Sequence, residues 1–366
     1  MLSELETYLA LVRAALWGEK MPWPVERTNR LLELNALQGT GPLVYPMVLD
    51  QDELPSAARM QMKSVCLQTM QQHVKLQHTL SVALDALEKA GLHAVVMKGV
   101  GLASLYAEPH YRSWGDIDLF VGKDQYHPAC AVMRDTFPQA LKFDEELDHY
   151  KHYNLIADGI SIEIHRVSVG HQHPVDEMRY DKIEHFGMTH GERIAVENVE
   201  MTIPEPTFNA LFVLLHSWEH MITQGANIRQ LCDWTLLVHH YHDRIDSERL
   251  KRDLESLHLM DVWQLYTWIA VHHLGLKQEE AFFYSDEPAH RAERLLNDLL
   301  LGIMVENRHS GEAPKGRVRR KMHTMQERMK NADRIEQYSP AYARHMRATT
   351  WLNGAKRFFA KDRHWE

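Results

Sequence analysis

The chain has 366 residues, of which 45% are hydrophobic and 25% charged. That is enough to bury a sizeable core, and it excludes a disordered chain, a collagen-like fibre and a disulfide-stapled miniprotein. Lys and Arg number 41 against 50 Asp and Glu, and the formal charge of −9 argues against a whole-chain basic nucleic-acid binder. The charge is uneven, because residues Arg308 to Glu366 hold 15 Lys and Arg against 6 Asp and Glu.

From the N-terminus, Leu5, Leu9, Val12 and Leu16 recur at helical spacing, with acids before them. A signal peptide would have a basic start and a continuous apolar run, so a leader is not expected. Apolar residues three or four apart from Ala57 to Ala90, including Met60, Leu67, Val74, Leu80 and Leu87, predict a helix stopped by Gly91. The texture then changes. Residues 93–99 (HAVVMKG) read as a buried strand ending in a glycine turn, 100–109 as a short helix, 110–115 as a loop and 116–122 (DIDLFVG) as a second strand. Gln125 to Phe137 reads as a helix. His152–Ile156 and Gly159–His165 form a hairpin about Asp158-Gly159, and Val196–Ile203 is a further strand. Helices follow at 208–222, 228–241, 261–274, 289–305 and 315–336. The expected class is α+β, divided as 1–90 helical, 91–205 mixed sheet and 206–366 helical with a basic tail.

The three cysteines, Cys66, Cys130 and Cys232, are odd in number and far apart, which fits a reducing cytoplasm rather than a disulfide framework. No stretch of about 18 apolar residues exists, so no membrane span is expected.

Chemistry concentrates in Asp116-Ile117-Asp118. Residues i and i+2 of a strand share a face, so both carboxylates point one way while Ile117 and Leu119 point the other. The pair is either the solvent side of an amphipathic edge strand or a ligand set for a hard divalent cation such as Mg²⁺ or Mn²⁺. Glu163, between Ile162 and Ile164, is costly if it faces a core. If its strand neighbours the Asp116–Asp118 strand, three acids converge as in a two-metal site. Lys98-Gly99-Val100-Gly101 closes the first strand and opens a helix, where backbone N–H groups can cradle an anion and Lys98 adds charge. Arg112, just before the acids, can meet phosphate or acceptor or neutralise the carboxylates. His216 and His220 share one helix face, lining a domain interface or, with Asp233, a separate metal site; Arg229 and Asp233 are spaced to pair.

Together, "MKGVGLASLY…R…GDIDLFV", "IEIH" and "LLHSWEH…IRQLCDW" resemble a putative nucleotidyltransferase family of the DNA polymerase beta-like superfamily, over roughly residues 90–240. The resemblance implies a minimal nucleotidyltransferase mixed sheet with added helical regions. It implies that Asp116, Asp118 and Glu163 bind metal, with Glu163 as base, and that Gly99 and Gly101 hold the triphosphate. The superfamily usually follows the turn glycine with Ser or Gly; here Val100 follows, and Ser104 is the nearby hydroxyl. Arg166 stands where relatives often have an aromatic residue. The expected activity is Mg²⁺- or Mn²⁺-dependent transfer of a nucleotidyl group from a nucleoside triphosphate to a hydroxyl on a sugar, small molecule, protein or RNA end. The alternative is a catalytically inactive nucleotide- or partner-binding module on the same fold. No membrane partner is expected. The tail centred on Arg317, Arg319, Arg320 and Lys321 leaves a nucleic-acid partner open, but a solvated helix or an intramolecular partner for the acidic part is favoured.

Overall fold

Ser3 opens α1 (Glu4–Leu16) in the computed structural model, which describes residues 3–113, 115–143, 147, 149–169, 174–223, 225–302 and 317–359. The Ser3 hydroxyl accepts from the Glu6 amide and the Glu6 carboxylate accepts from the Ser3 amide, a reciprocal cap. α2 (Thr28–Gln38), α3 (Gly41–Val44) and the 34-residue α4 (Ser56–Lys89) complete the N-terminal helices. Gly91, at φ +71°, ends α4 as its position predicts. Leu76, Leu80, Ala83 and Leu87 of α4 are buried, but Met60, Leu67 and Val74 are exposed. The apolar period of this long helix therefore covers more than its core face.

The described strands are β1 (Val95–Met97), β2 (Ile117–Phe120), β3 (Leu141–Lys142), β4 (His152–Ala157), β5 (Ile160–His165), β6 (Glu192–Val196) and β7 (Val199–Ile203). They form one mixed sheet in the order β3-β4-β5-β2-β1-β7-β6. The β1–β7 and β2–β5 pairs are parallel and the others antiparallel. Three helices are interleaved with the strands: α5 (Gly99–Ala103), α6 (Gly122–Thr136) and α7 (Pro174–Thr189). After the sheet come α8 (Pro206–Thr223), α9 (Ile228–Tyr241), α10 (Ser247–Ser256), α11 (Met260–Ile269), α12 (Ala289–Leu300), α13 (Arg317–Ile335) and α14 (Pro340–Phe359). This is the expected α+β class, a mixed sheet with helical regions before and after it. No helix among the described residues is long and apolar enough to cross a membrane.

Several elements differ from the sequence reading. The helix expected over 100–109 ends at Ala103, and a short 3₁₀ turn follows at Pro109–Tyr111. The strand expected at Val196–Ile203 is a hairpin, because Glu197 takes a left-handed φ of +54° and turns the chain back. Its partner β6 is the sheet edge, with Arg193 and Ala195 exposed, so it lacks the apolar signature of an inner strand. The 261–274 helix breaks into α11 and a π turn at Ala270–Leu274. Residues 303–305 and 315–316 of two expected helices lie outside the described residues.

The apolar core is continuous from Tyr8 to Ala343. α8 is apolar nearly all round and sits inside it, with Phe212, Leu214 and Trp218 fully buried. Gly101 serves this packing, since a Cβ there would lie 2.9 Å from Ile203 Cγ2. The Gly101→Ala variant is expected to lose about 1–3 kcal/mol of stability through overpacking, measured by urea denaturation.

Candidate active site

β2 lies between β1 and β5, and its alternation sorts the side chains. Ile117 and Leu119 are buried in the core on one face, and Asp118 occupies the other. The parallel register pairs Asp118 directly with Glu163 of β5. Asp116 precedes the strand, exposed at the cleft mouth on the same side. Two like charges directly opposite each other on adjacent strands repel. A lysine and a histidine answer them. Lys98 Nζ is 3.0 Å from Asp118 Oδ1, and His165 Nε2 is 3.0 Å from Asp118 Oδ1 and 3.1 Å from Glu163 Oε2.

The titration behaviour follows from this crowding. Burial would raise the Asp118 carboxyl, but Lys98 and His165 together outweigh it and hold it far below the usual range. Burial opposes the charged form of His165, yet its hydrogen bonds to both acids raise its pKa. Glu163, also opposed by burial, is lowered by the His165 hydrogen bond. Asp116 makes no such hydrogen bond among the described residues: desolvation in the cleft, then Asp118 and Glu163, outweigh Lys98 and His165 and push it up to about 6.

Lys98 holds its position at a strained backbone, with φ +51° at the end of β1. Gly99 follows at φ +35°, and a Cβ there would come 3.2 Å from the Asp116 carbonyl oxygen. The turn thus lies tight against the acid strand and lines the cleft.

The opposite wall comes from α8 and α9. His216, His220, Arg229, Gln230 and Asp233 line the cleft, which spans about 640 Å³ including its open mouth, enough for a small-molecule ligand. His216 Nε2 is 3.3 Å from Lys98 Nζ, and burial, then Lys98 and His220, keep that imidazole neutral. Burial and the nearby lysines also bring His220 down to about 4. The two histidines therefore face Lys98 and Asp118 from across the cleft.

Arg112 is not a free arm at the acids. It is buried and makes a bidentate ion pair with Asp233, Nε to Oδ1 and Nη2 to Oδ2 both at 2.7 Å. Tyr106 donates to the same Oδ1 at 2.7 Å. Of the roles left open for Arg112, the contact seen is with a carboxylate, that of Asp233 rather than Asp116 or Asp118; it ties the loop before β2 to α9 while Arg112 still lines the cleft. Arg229 is the looser cation, 3.6 Å from Asp233 and partly exposed to the cleft. The Ser104 hydroxyl donates to the Gly101 carbonyl at 2.7 Å and turns back onto α5. Gly101 packs on Ile203 rather than lining the cleft.

The sequence reading passed over two histidines at the site. His165 is two residues beyond Glu163, and that spacing in a strand marks a shared face. His152 is its register partner across the β4–β5 pair. His152, Glu163 and His165 each offer a ligand atom within 4.8 Å of the others. His152 Nδ1 is buried and makes no hydrogen bond among the described residues. Carboxylates on one side and an orphaned ring nitrogen on the other form a donor set that fits a divalent cation.

A second cleft lies on the far side of α8, lined by Glu219 with Tyr150, Arg328 of α13 and Tyr342 of α14. Burial pushes Glu219 up to about 7.

A family model described as an uncharacterised nucleotidyltransferase matches residues 25–275, more than half of the chain. The chain belongs to that family and is a transferase. The matched span holds the whole sheet, α8 and α9, and leaves α12 to α14 outside it. No curated protein and no solved structure matches the chain.

Breaking a buried ion pair costs about 3–5 kcal/mol because it strands a charge. Arg112→Ala is expected to lose stability on that scale in urea, while Arg229→Ala, which leaves the bidentate pair intact, loses about 1 kcal/mol or less. Glu219 has a second signature. A carboxyl whose folded pKa is raised stabilises the fold below about pH 4.5 relative to neutral pH, and that stability is lost as pH rises through about 7. Glu219→Gln is therefore expected to match the parent at pH 4.5 and to melt higher at pH 8, by roughly 1–3 kcal/mol, in thermal scans across pH.

Proposed function

We propose that the chain transfers a nucleotidyl group from a nucleoside triphosphate to an acceptor hydroxyl, with Mg²⁺ or Mn²⁺ as cofactor. The observation that carries this reading is the register pairing Asp118 with Glu163, with Asp116 at the mouth of the same cleft. A divalent ion bound there supplies charge to the triphosphate and lowers the pKa of the attacking hydroxyl.

The residues do the rest by position. Asp116, Asp118 and Glu163 hold the metal side of the cleft. Lys98 and the open backbone at Gly99 face the phosphates, and Arg229 takes the phosphate role from the opposite wall. The acceptor oxygen forms its bond to the α-phosphorus as the bond from that phosphorus to the bridging oxygen breaks, and pyrophosphate leaves. The hydroxyl proton passes to Glu163. A carboxylate held below its usual range is a weak base, so orientation and electrostatic stabilisation carry most of the rate. The acceptor belongs to one of four classes: sugar, small molecule, protein side chain or RNA end.

The described part of the C-terminal hairpin supports an intramolecular role for its basic residues. Arg347 pairs with Asp333 and Glu336 at 2.8 and 2.7 Å, and Arg328 donates to Thr350 at 2.9 Å. Of the basic cluster, Arg319 is exposed, and the side chains of Arg317, Arg320 and Lys321 lie outside the described residues. Three free, buried cysteines support a reducing, cytoplasmic setting.

One observation favours the second reading, a binding module: Lys98 pairs with Asp118 at 3.0 Å and offsets its charge from within the fold. The two readings diverge in one assay. The 366-residue chain with each of the four ribonucleoside triphosphates, Mg²⁺ or Mn²⁺ and pools of acceptors is expected to release pyrophosphate, and Asp118→Asn to lose roughly 10²–10³-fold or more of that rate. Retained turnover in Asp118→Asn removes the metal assignment, and nucleotide binding without release in the parent favours the module.

A further inference from the structure

The two sides of Glu163 are chemically unlike. Toward β2 lie the carboxylates Asp116 and Asp118. Two imidazoles also meet Glu163: His165 of its own strand, whose Nε2 is 3.1 Å from Glu163 Oε2 and 3.0 Å from Asp118 Oδ1, and His152 of β4, whose Nδ1 is 3.8 Å from Glu163 Oε2. All three ligand atoms come from two paired strands, so the geometry is held by the β4–β5 ladder rather than by a loop. The His152 and His165 rings stand 5.0 Å apart, tilted at 48°. His152 Nδ1 is buried without a hydrogen bond among the described residues, which is costly for a ring nitrogen unless something fills the place.

We propose that His152, Glu163 and His165 form a nitrogen-rich metal site that takes a borderline transition-metal ion, Zn²⁺ or Co²⁺, in preference to Mg²⁺. The inference deepens the transferase reading and rests on its assignment of Glu163 as a metal ligand. Mg²⁺ favours oxygen ligands and keeps much of its water, whereas imidazole suits the later divalent ions. Two different sites would then share Glu163, one built of oxygen and one of nitrogen and oxygen.

The test uses the 366-residue chain stripped of metal with a chelator and titrated with Co²⁺, whose visible absorption reports nitrogen ligation. One tight equivalent is expected, with bands that survive a large excess of Mg²⁺. In His152→Ala those bands are expected to vanish and affinity to fall by roughly 10–100-fold or more. The control His272→Ala, from an exposed site away from the cleft, is expected to bind as the parent does. Unchanged Co²⁺ binding in His152→Ala, or displacement of Co²⁺ from the parent by Mg²⁺, overturns the proposal. Circular dichroism checks the fold of the variant, and should it fail to fold, the Mg²⁺ competition on the parent decides alone. Pyrophosphate release is read separately. Co²⁺ bound through His152 with no release removes the transferase reading and keeps this site; release with Mg²⁺ and no nitrogen-ligated ion does the reverse.

Discussion

The parallel pairing of β2 on β5 puts Asp118 opposite Glu163, and much of the surrounding structure is a response to that one juxtaposition. Two carboxylates on neighbouring strands, with burial at Asp118, cannot both remain ionised without positive charge beside them. Lys98 provides it from within the fold, and His165 bridges both acids by hydrogen bonds. Lys98 does so from a left-handed backbone that a lysine adopts at a cost of about 1–3 kcal/mol, an expense that an ion pair at the end of β1 helps offset. His165 sits in a nearly inaccessible position where burial opposes its charged form and the two hydrogen bonds favour it.

A second charge cluster sets the distance between the walls of the cleft. Asp233 gathers Arg112, Tyr106 and, more loosely, Arg229. Arg112 belongs to the loop that leads into β2, and Asp233 to α9, so this buried pair anchors the acid strand to the helical wall. Ser113 adds to the anchor by donating to the Gly39 carbonyl at 2.8 Å, reaching the N-terminal helices. Residues from all three regions of the chain thus meet around one cleft.

What could be read from the sequence was what alternation and turn chemistry encode locally. Asp116-Ile117-Asp118 and Ser161-Ile162-Glu163 declared their faces because strand period is two, and the adjacency of the two strands, a condition left open by the sequence, is met in the sheet. The Arg229–Asp233 spacing gave a pair. The fate of Arg112 was hidden because its partner is 121 residues away and no local pattern encodes such a contact. The contacts of Ser104 with Gly101 and of Gly101 with Ile203 were hidden for another reason, since a glycine needed for packing looks like one needed for a ligand. His165 was visible as the last residue of IEIH, but only the pairing with β4 shows that His152 faces it. β6 escaped notice because an edge strand carries charge where an inner strand carries apolar side chains.

The order in which β1, β2 and β5 join has a kinetic side. β1 and β2 lie close in the chain and pair antiparallel, but β5 reaches β2 only after β3 and β4 have been laid down between them. Parallel contacts across such a gap must close a large loop before they return any free energy, which makes them slow to form. The acids therefore meet late in folding. Any partly folded species that has formed only the β1–β2 and β4–β5 pairs carries Asp118 and Glu163 on separate pieces, so the charge pairing around the two acids stabilises the finished sheet rather than seeding its assembly.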